Sequence, residues 1–160
     1  LGLRGFAADR DDLFLEEGAT NAVWVLCPNV SSSPPEPWND WQSYYPGDEY
    51  VDWLCTDGYN WGTLETWSSW QSFSSVMGQI IPSLAAFGKP VLIAETSSTE
   101  EGGSKAAWID GIVPTLESEF PAVRGLVWFH VDKETDWRID SSPGSLAAFV
   151  TMGQEPLMNP

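Results

Sequence analysis

Glu95 is the first charge after a short apolar run, Val91, Leu92, Ile93 and Ala94, in a stretch that opens with Gly88 and Pro90 and closes with Thr96, Ser97 and Ser98. Such a run, bounded by turn formers and small polar residues, reads as a parallel strand buried on both faces. A carboxylate at the carboxyl end of a strand of this kind stands where the active sites of α/β barrels lie. The competing reading is a strand-end glutamate held by a neighbouring cation. Three further strand ends carry Asn29; Asp57, Tyr59, Asn60 and Trp61; and Trp128 with His130. If the strands lie parallel and side by side, these groups converge on one rim that holds carboxylates, a phenol, amides and aromatic faces, with hardly a cation. That inventory suits carbohydrate. Amides and carboxylates bind hydroxyls, an indole covers the apolar face of a ring, and one carboxylate attacks an anomeric carbon.

Other chemistries find little support. His130 is the only histidine, too few for a metal site or a Ser-His-Asp triad without much help, so no metal and no cofactor are expected. Cys27 and Cys55 lack a Cys-x-x-Cys spacing and neither sits beside His or Lys. Buried free thiols are the favoured reading, with a disulfide as the alternative if the two strands are neighbours. The formal charge of -16, from 23 acids against 7 bases scattered along the chain, repels phosphate backbones and anionic membrane surfaces. Ten tryptophans in 160 residues lean toward an uncharged ligand. No apolar stretch approaches the roughly 20 residues of a membrane span.

The elements that must position these groups alternate. A polar helix over 7–17, stopped by Gly18, is followed by a buried strand over 21–28. Residues 30–50, rich in Pro at their start and then in aromatics, read as a long ordered loop that either serves function or covers the core. A second strand starts at Val51 and ends in the Asp57 to Trp61 cluster. Trp70, Phe73, Met77, Ile80, Ile81, Leu84 and Phe87 recur at three and four, which predicts a helix kinked by Pro82 and ended by Gly88. The Glu95 strand is third. A helix from about Ser104, with Ile109, Ile112, Leu116 and Phe120 on one face and a kink or break at Pro114, leads to a fourth strand over 122–129. Ser142 and Pro143 open a last short helix. Strands alternating with helical connections imply parallel pairing and an α/β fold. Trp24, Trp53, Trp70 and Trp108 are assigned to packing, and Glu100 and Glu101 to a solvated patch.

Seven stretches in order carry a resemblance: Gly18-Ala-Thr-Asn-Ala-Val-Trp-Val-Leu-Cys-Pro-Asn29, Tyr45-Pro-Gly-Asp-Glu-Tyr-Val-Asp-Trp53, Asp57-Gly-Tyr-Asn-Trp-Gly62, Lys89-Pro-Val-Leu-Ile-Ala-Glu-Thr96, Gly102-Gly-Ser-Lys-Ala-Ala-Trp108, Gly125-Leu-Val-Trp-Phe129 and Asp136-Trp-Arg138. With them the sequence resembles the C-terminal half of a family 26 glycoside hydrolase, the retaining β-mannanase family built on (β/α)8 barrels. The resemblance implies that the four strands are the fifth to eighth of the barrel. It implies Glu95 as the catalytic nucleophile, Tyr59 as the tyrosine that orients it, Asp57 as a carboxylate near the bound sugar and Trp128 as an aromatic platform. Asn29, Asn60, Trp61 and His130 complete the expected sugar-binding set.

A complete barrel takes roughly 250 residues, at minimum about 200. The family's acid/base glutamate ends the fourth strand in a His-Glu-Met-Asn type of motif that this sequence lacks. The chain is thus expected to be a truncated half-barrel, its start at Leu1 a cut, needing an N-terminal half to close the barrel and to supply that glutamate. The parent is expected to be a secreted endo-acting enzyme on β-1,4-mannan or a related β-glucan or xylan. The alternative is a non-catalytic carbohydrate-binding or decayed piece.

Overall fold

The computed structural model describes residues 3–159; the expectation about Leu1 lies outside them. Four strands, β1 (Val25–Leu26), β2 (Trp53–Asn60), β3 (Val91–Ser98) and β4 (Val123–Trp128), form a sheet ordered as in the chain, with every pair parallel. Helix α1 (Leu3–Glu16) precedes β1. Helices α2 (Phe73–Met77) and α3 (Ile81–Ala85) join β2 to β3, α4 (Lys105–Asp110) and α5 (Ile112–Ser118) join β3 to β4, and α6 (Pro143–Met152) follows. Parallel neighbours need such crossovers, and these carry the apolar stripes read from the sequence.

The core lies on one face of the sheet. Leu54, Val91 and Ile93 meet Val76, Met77, Ile81, Leu84, Ile109 and Ile112, all essentially without solvent contact. The other face is open: Val25 and Val127 are 44% and 51% exposed. No described helix is long and apolar enough to cross a membrane.

Each long predicted helix is two short ones. The breaks fall at Gly78 and Gly111, whereas Pro82 and Pro114 sit in the first turns of α3 and α5. A proline in the first turn sacrifices an N–H that has no helical partner there, so it starts a helix instead of kinking one. Ser72, Ser104 and Ser142 cap α2, α4 and α6 through their hydroxyls, as the capping preference of serine leads one to expect. Gly18, at φ 75°, closes α1 with Ala19 N donating to Phe14 O.

The first strand corrects the sequence reading. It is neither long nor buried: exposed and half-buried residues alternate from 21 to 30, because β1 pairs only with β2. Strand β2 ends at Asn60, within the cluster where it was read to end, and β3 runs further than read, to Ser98, so Asp57, Tyr59 and Glu95 all lie within the sheet. The loop over 30–50 folds into three 3-10 turns and seals the core with Trp41, 7% exposed and packed on Phe87 with ring centroids 5.1 Å apart. Tyr45 joins them, and its phenol donates to Asp48.

Cys27 and Cys55 are disulfide-bonded, not free thiols. The register sets Val25 opposite Trp53 and Leu26 opposite Leu54, so the next residues along, Cys27 and Cys55, come to a Cα–Cα distance of 4.4 Å. Strand register, invisible in the sequence, decides this pairing.

Candidate active site

A β-bulge aims Glu95. Thr56 faces Ile93 across the sheet and Asp57 faces Glu95, while on the other side Ile93 faces Leu126 and Thr96 faces Trp128. Both neighbours thus have one residue fewer than β3 between the same rungs. In a regular strand Ile93 and Glu95 would share a face, and Ile93 is fully buried in the core. The extra residue turns Glu95 out of the core to the open face, the re-aiming that bulges perform beside sites.

On that face the Tyr59 hydroxyl donates to Glu95 Oε2 at 2.5 Å. Burial and then this bond hold the phenol pKa well above its ordinary value, so Tyr59 keeps its proton and remains a donor. Asp57, half-buried beside Glu95 in the adjacent strand, has its carboxyl pKa raised by burial and then by the Glu95 charge. Asn29 bridges to Asp57 and is exposed at the same rim.

Aromatic rings continue outward from Tyr59. Its ring lies 5.6 Å from Phe129 and 5.2 Å from Trp137; Trp137 lies 5.1 Å from Trp61, and Trp61 5.5 Å from Trp67. The sequence reading named Trp61 for this rim and passed over Trp67 and Phe129. Neither carries a spacing signal, since one lies in an irregular loop and the other follows β4.

Three expected sugar-binding residues have partners within the protein. Trp128 turns to the helices, stacking on Trp108 and Phe149, because its place on β4 is one residue off the Phe129 face. This corrects its reading as a platform. Asn60 is 1% exposed; its amide donates to Ser98 Oγ and accepts from Gly62 N and Gln71 N, so it knots the β2 loop and has no free group for a ligand. His130 accepts from Ile139 N through Nδ1 and lies 3.9 Å from Asp140, near the rim but tied to the loop that follows β4.

That loop is clamped from beneath. Lys105 is fully buried, and its Nζ donates to Asp136 O at 2.7 Å, Arg138 O at 3.0 Å and Ser141 Oγ at 2.8 Å. Glu100 Oε1 accepts from Ser141 Oγ and Ser145 Oγ. Partial burial would raise the Glu100 pKa, but these hydroxyls and Lys105 N prevail and lower it. Glu100 is exposed, as its reading within a solvated patch has it, and it also serves as the buried ammonium's relayed counter-charge, a role the sequence reading did not assign. Between the clamped carbonyls sits Trp137, whose own carbonyl accepts from Ser97 Oγ and Trp128 Nε1.

The two cations of the loop after β4, Arg138 and Lys133, are paired. Arg138 grips both carboxylate oxygens of Asp136, which with burial opposing leaves the Asp136 pKa at about 2. Lys133 meets Glu134 at 2.8 Å. Among the described residues, no cluster of three or more His, Cys, Asp or Glu could hold a metal ion. A carboxylate fixed by a phenol, a second carboxyl beside it and indole faces around them form a site for a neutral, hydroxyl-rich ligand.

The fold matches part of the (β/α)8 barrels found in solved family 26 glycoside hydrolases. Its likeness to a GH26 β-mannanase from Bacteroides ovatus has a TM-score of 0.65 at 22% identity, covering 96% of this chain and 43% of that one. For the catalytic domain of a Bacillus GH26 endo-β-1,4-mannanase the TM-score is 0.61 at 17% identity, over 96% of this chain and 43% of the other. In sequence, 142 residues are 46% identical to Endoglucanase H of Acetivibrio thermocellus, covering 86% of this chain. The chain spans 15% of that curated relative. No family model matches the chain.

Proposed function

We propose that the chain is one half of the catalytic barrel of a secreted, retaining endo-β-glycosidase, with Glu95 as nucleophile. The observation that carries this reading is the Tyr59 to Glu95 hydrogen bond, made at the carboxyl ends of adjacent parallel strands on the open sheet face. In a retaining reaction the carboxylate bonds to the anomeric carbon as the bond to the departing sugar oxygen breaks, and that oxygen takes a proton from a second carboxylic acid. Water, deprotonated by the same group, then releases the glycosyl unit. Tyr59 fixes one Glu95 oxygen and leaves the other to attack. Asp57, Asn29 and Trp61 contact the sugar.

The acid/base group belongs about 5 to 5.5 Å from the nucleophile. On the family resemblance it is a glutamate of the other half-barrel, which also covers the open face bearing Val25 and Val127. Without it nothing protonates the departing oxygen, so these 160 residues by themselves turn over little or no natural glycan. The substrate is a β-linked glucan, mannan or xylan. The 46% identity to a protein named an endoglucanase supports the glucan. Secretion is supported by the disulfide, which persists in oxidising compartments.

The test is hydrolysis of mixed-linkage glucan, mannan and xylan by the full-length gene product and its Glu95→Ala variant. Turnover of one polymer, abolished by the substitution, is expected. Silence on all three with polymer binding retained favours a non-catalytic carbohydrate-binding protein instead.

A further inference from the structure

We infer that Trp67 forms an outlying stacking position for a β-linked glycan chain leaving the site past Trp61, a reading that rests on the glycosidase function above. Trp67 is 70% exposed, whereas Trp137, two rings closer to Glu95, is 1% exposed. It is not a lone surface aromatic, of the kind that needs no explanation. Its ring meets Trp61, which meets Trp137, which meets Tyr59, and Tyr59 bonds Glu95. Trp137 is the buried support of the series; beyond it Trp61 is half-buried and Trp67 exposed, so the two outer indoles offer faces to a ligand passing over them.

The loop that carries Trp67 is built to hold it out. Gly62 sits at φ 53°, and a Cβ there would lie 1.9 Å from Glu101 O. Only glycine lets the two loops approach so closely, and Thr63 N donates to the same carbonyl at 3.0 Å. On either side of Trp67, Ser68 N donates to Glu65 O, and Glu65 N donates back to Ser68 Oγ. The indole is thus presented from a pinned turn and has not folded back onto the core. Its ligand is uncharged: the carboxylates of the same rim, Glu95 and Asp57 about Tyr59 and Glu134 against Trp137, and a net charge of -16 disfavour phosphate, sulfate or uronate. An extended β-linked glucan offers what is left, flat apolar ring faces edged with hydroxyls.

The test compares the full-length protein with its Trp67→Ala and Trp67→Phe variants on soluble mixed-linkage β-glucan and on an aryl β-cellobioside too short to reach Trp67. Losing one aromatic stacking contact should raise KM for the polymer about 5-fold and leave kcat nearly unchanged. Kinetics on the aryl cellobioside should not move, and Trp67→Phe should recover most of the polymer affinity. Equal losses on both substrates would mark Trp67 as structural, and no change on either would remove it from the binding path; both overturn the inference while the glycosidase reading stands. A parent that neither hydrolyses nor binds any β-glycan overturns both.

Discussion

Tyr59 and Glu95, 36 positions apart in sequence, are joined by one hydrogen bond from phenol to carboxylate, and every other feature of the rim is arranged around that pair. The bulge in β3 turns Glu95 to the open face. The packed rings of Phe129 and Trp137 hold the phenol at the right height.

Tyr59→Phe keeps the ring and removes the donor. A hydrogen bond to a charged group is worth about 1.5–3 kcal/mol, so kcat on polymer should fall about 10- to 100-fold, with KM little changed and the near-UV circular dichroism preserved. A rise in KM at constant kcat would instead place the phenol against substrate.

Asp57→Asn should stabilise the protein at neutral pH. The folded-state carboxyl pKa is raised above its unfolded value of about 3.9. Between those two values the native state holds the proton more tightly, so stability falls as pH rises through that window and stays reduced above it. Thermal melts at pH 7 should show a higher Tm for Asp57→Asn than for the parent, and the gap should close at pH 3.

Lys105→Met should loosen the loop over 136–141. It strands two buried carbonyls and the relayed charge of Glu100, at a cost of about 2–4 kcal/mol. Denaturant unfolding should report that loss, and hydrogen exchange should rise first at Trp137 and Arg138. Restoring the charge with Lys105→Arg should not rescue stability, because a fork of donors does not fit three acceptors gathered around one ammonium.

Replacing Cys27 and Cys55 by serine should cost about 3–4 kcal/mol, the loop-closure value for the 28-residue separation. Calorimetry of the parent with and without reductant should give the same difference. An unchanged midpoint on reduction would show that β1 is already held to β2 by its other contacts.

The paired short helices show where sequence reasoning reaches its limit. Apolar spacing located both helical crossovers and their buried faces, because the 3.6-residue period is written into the chain. The same prolines, read as a kink at Pro82 and a kink or break at Pro114, stand in first helical turns just after the breaks, since a proline's effect depends on where the preceding turn ends and that is set by packing around Gly78 and Gly111.

What the sequence determined by itself is the alternation of strands and helices, the parallel sheet that follows from it, and the set of polar and aromatic residues near the strand ends. Those depend on local composition and period. What the tertiary structure decided is which of them meet. The extra residue in β3 separates Glu95 from the core, a one-residue change of face sends Trp128 to the helices and Phe129 to the rim, and strand register joins Cys27 to Cys55. Trp67 reaches the rim through a turn pinned by Gly62, and Lys105 acts on residues more than 30 positions away. Register, bulges and loop closure are relations between distant segments, and no local pattern encodes them.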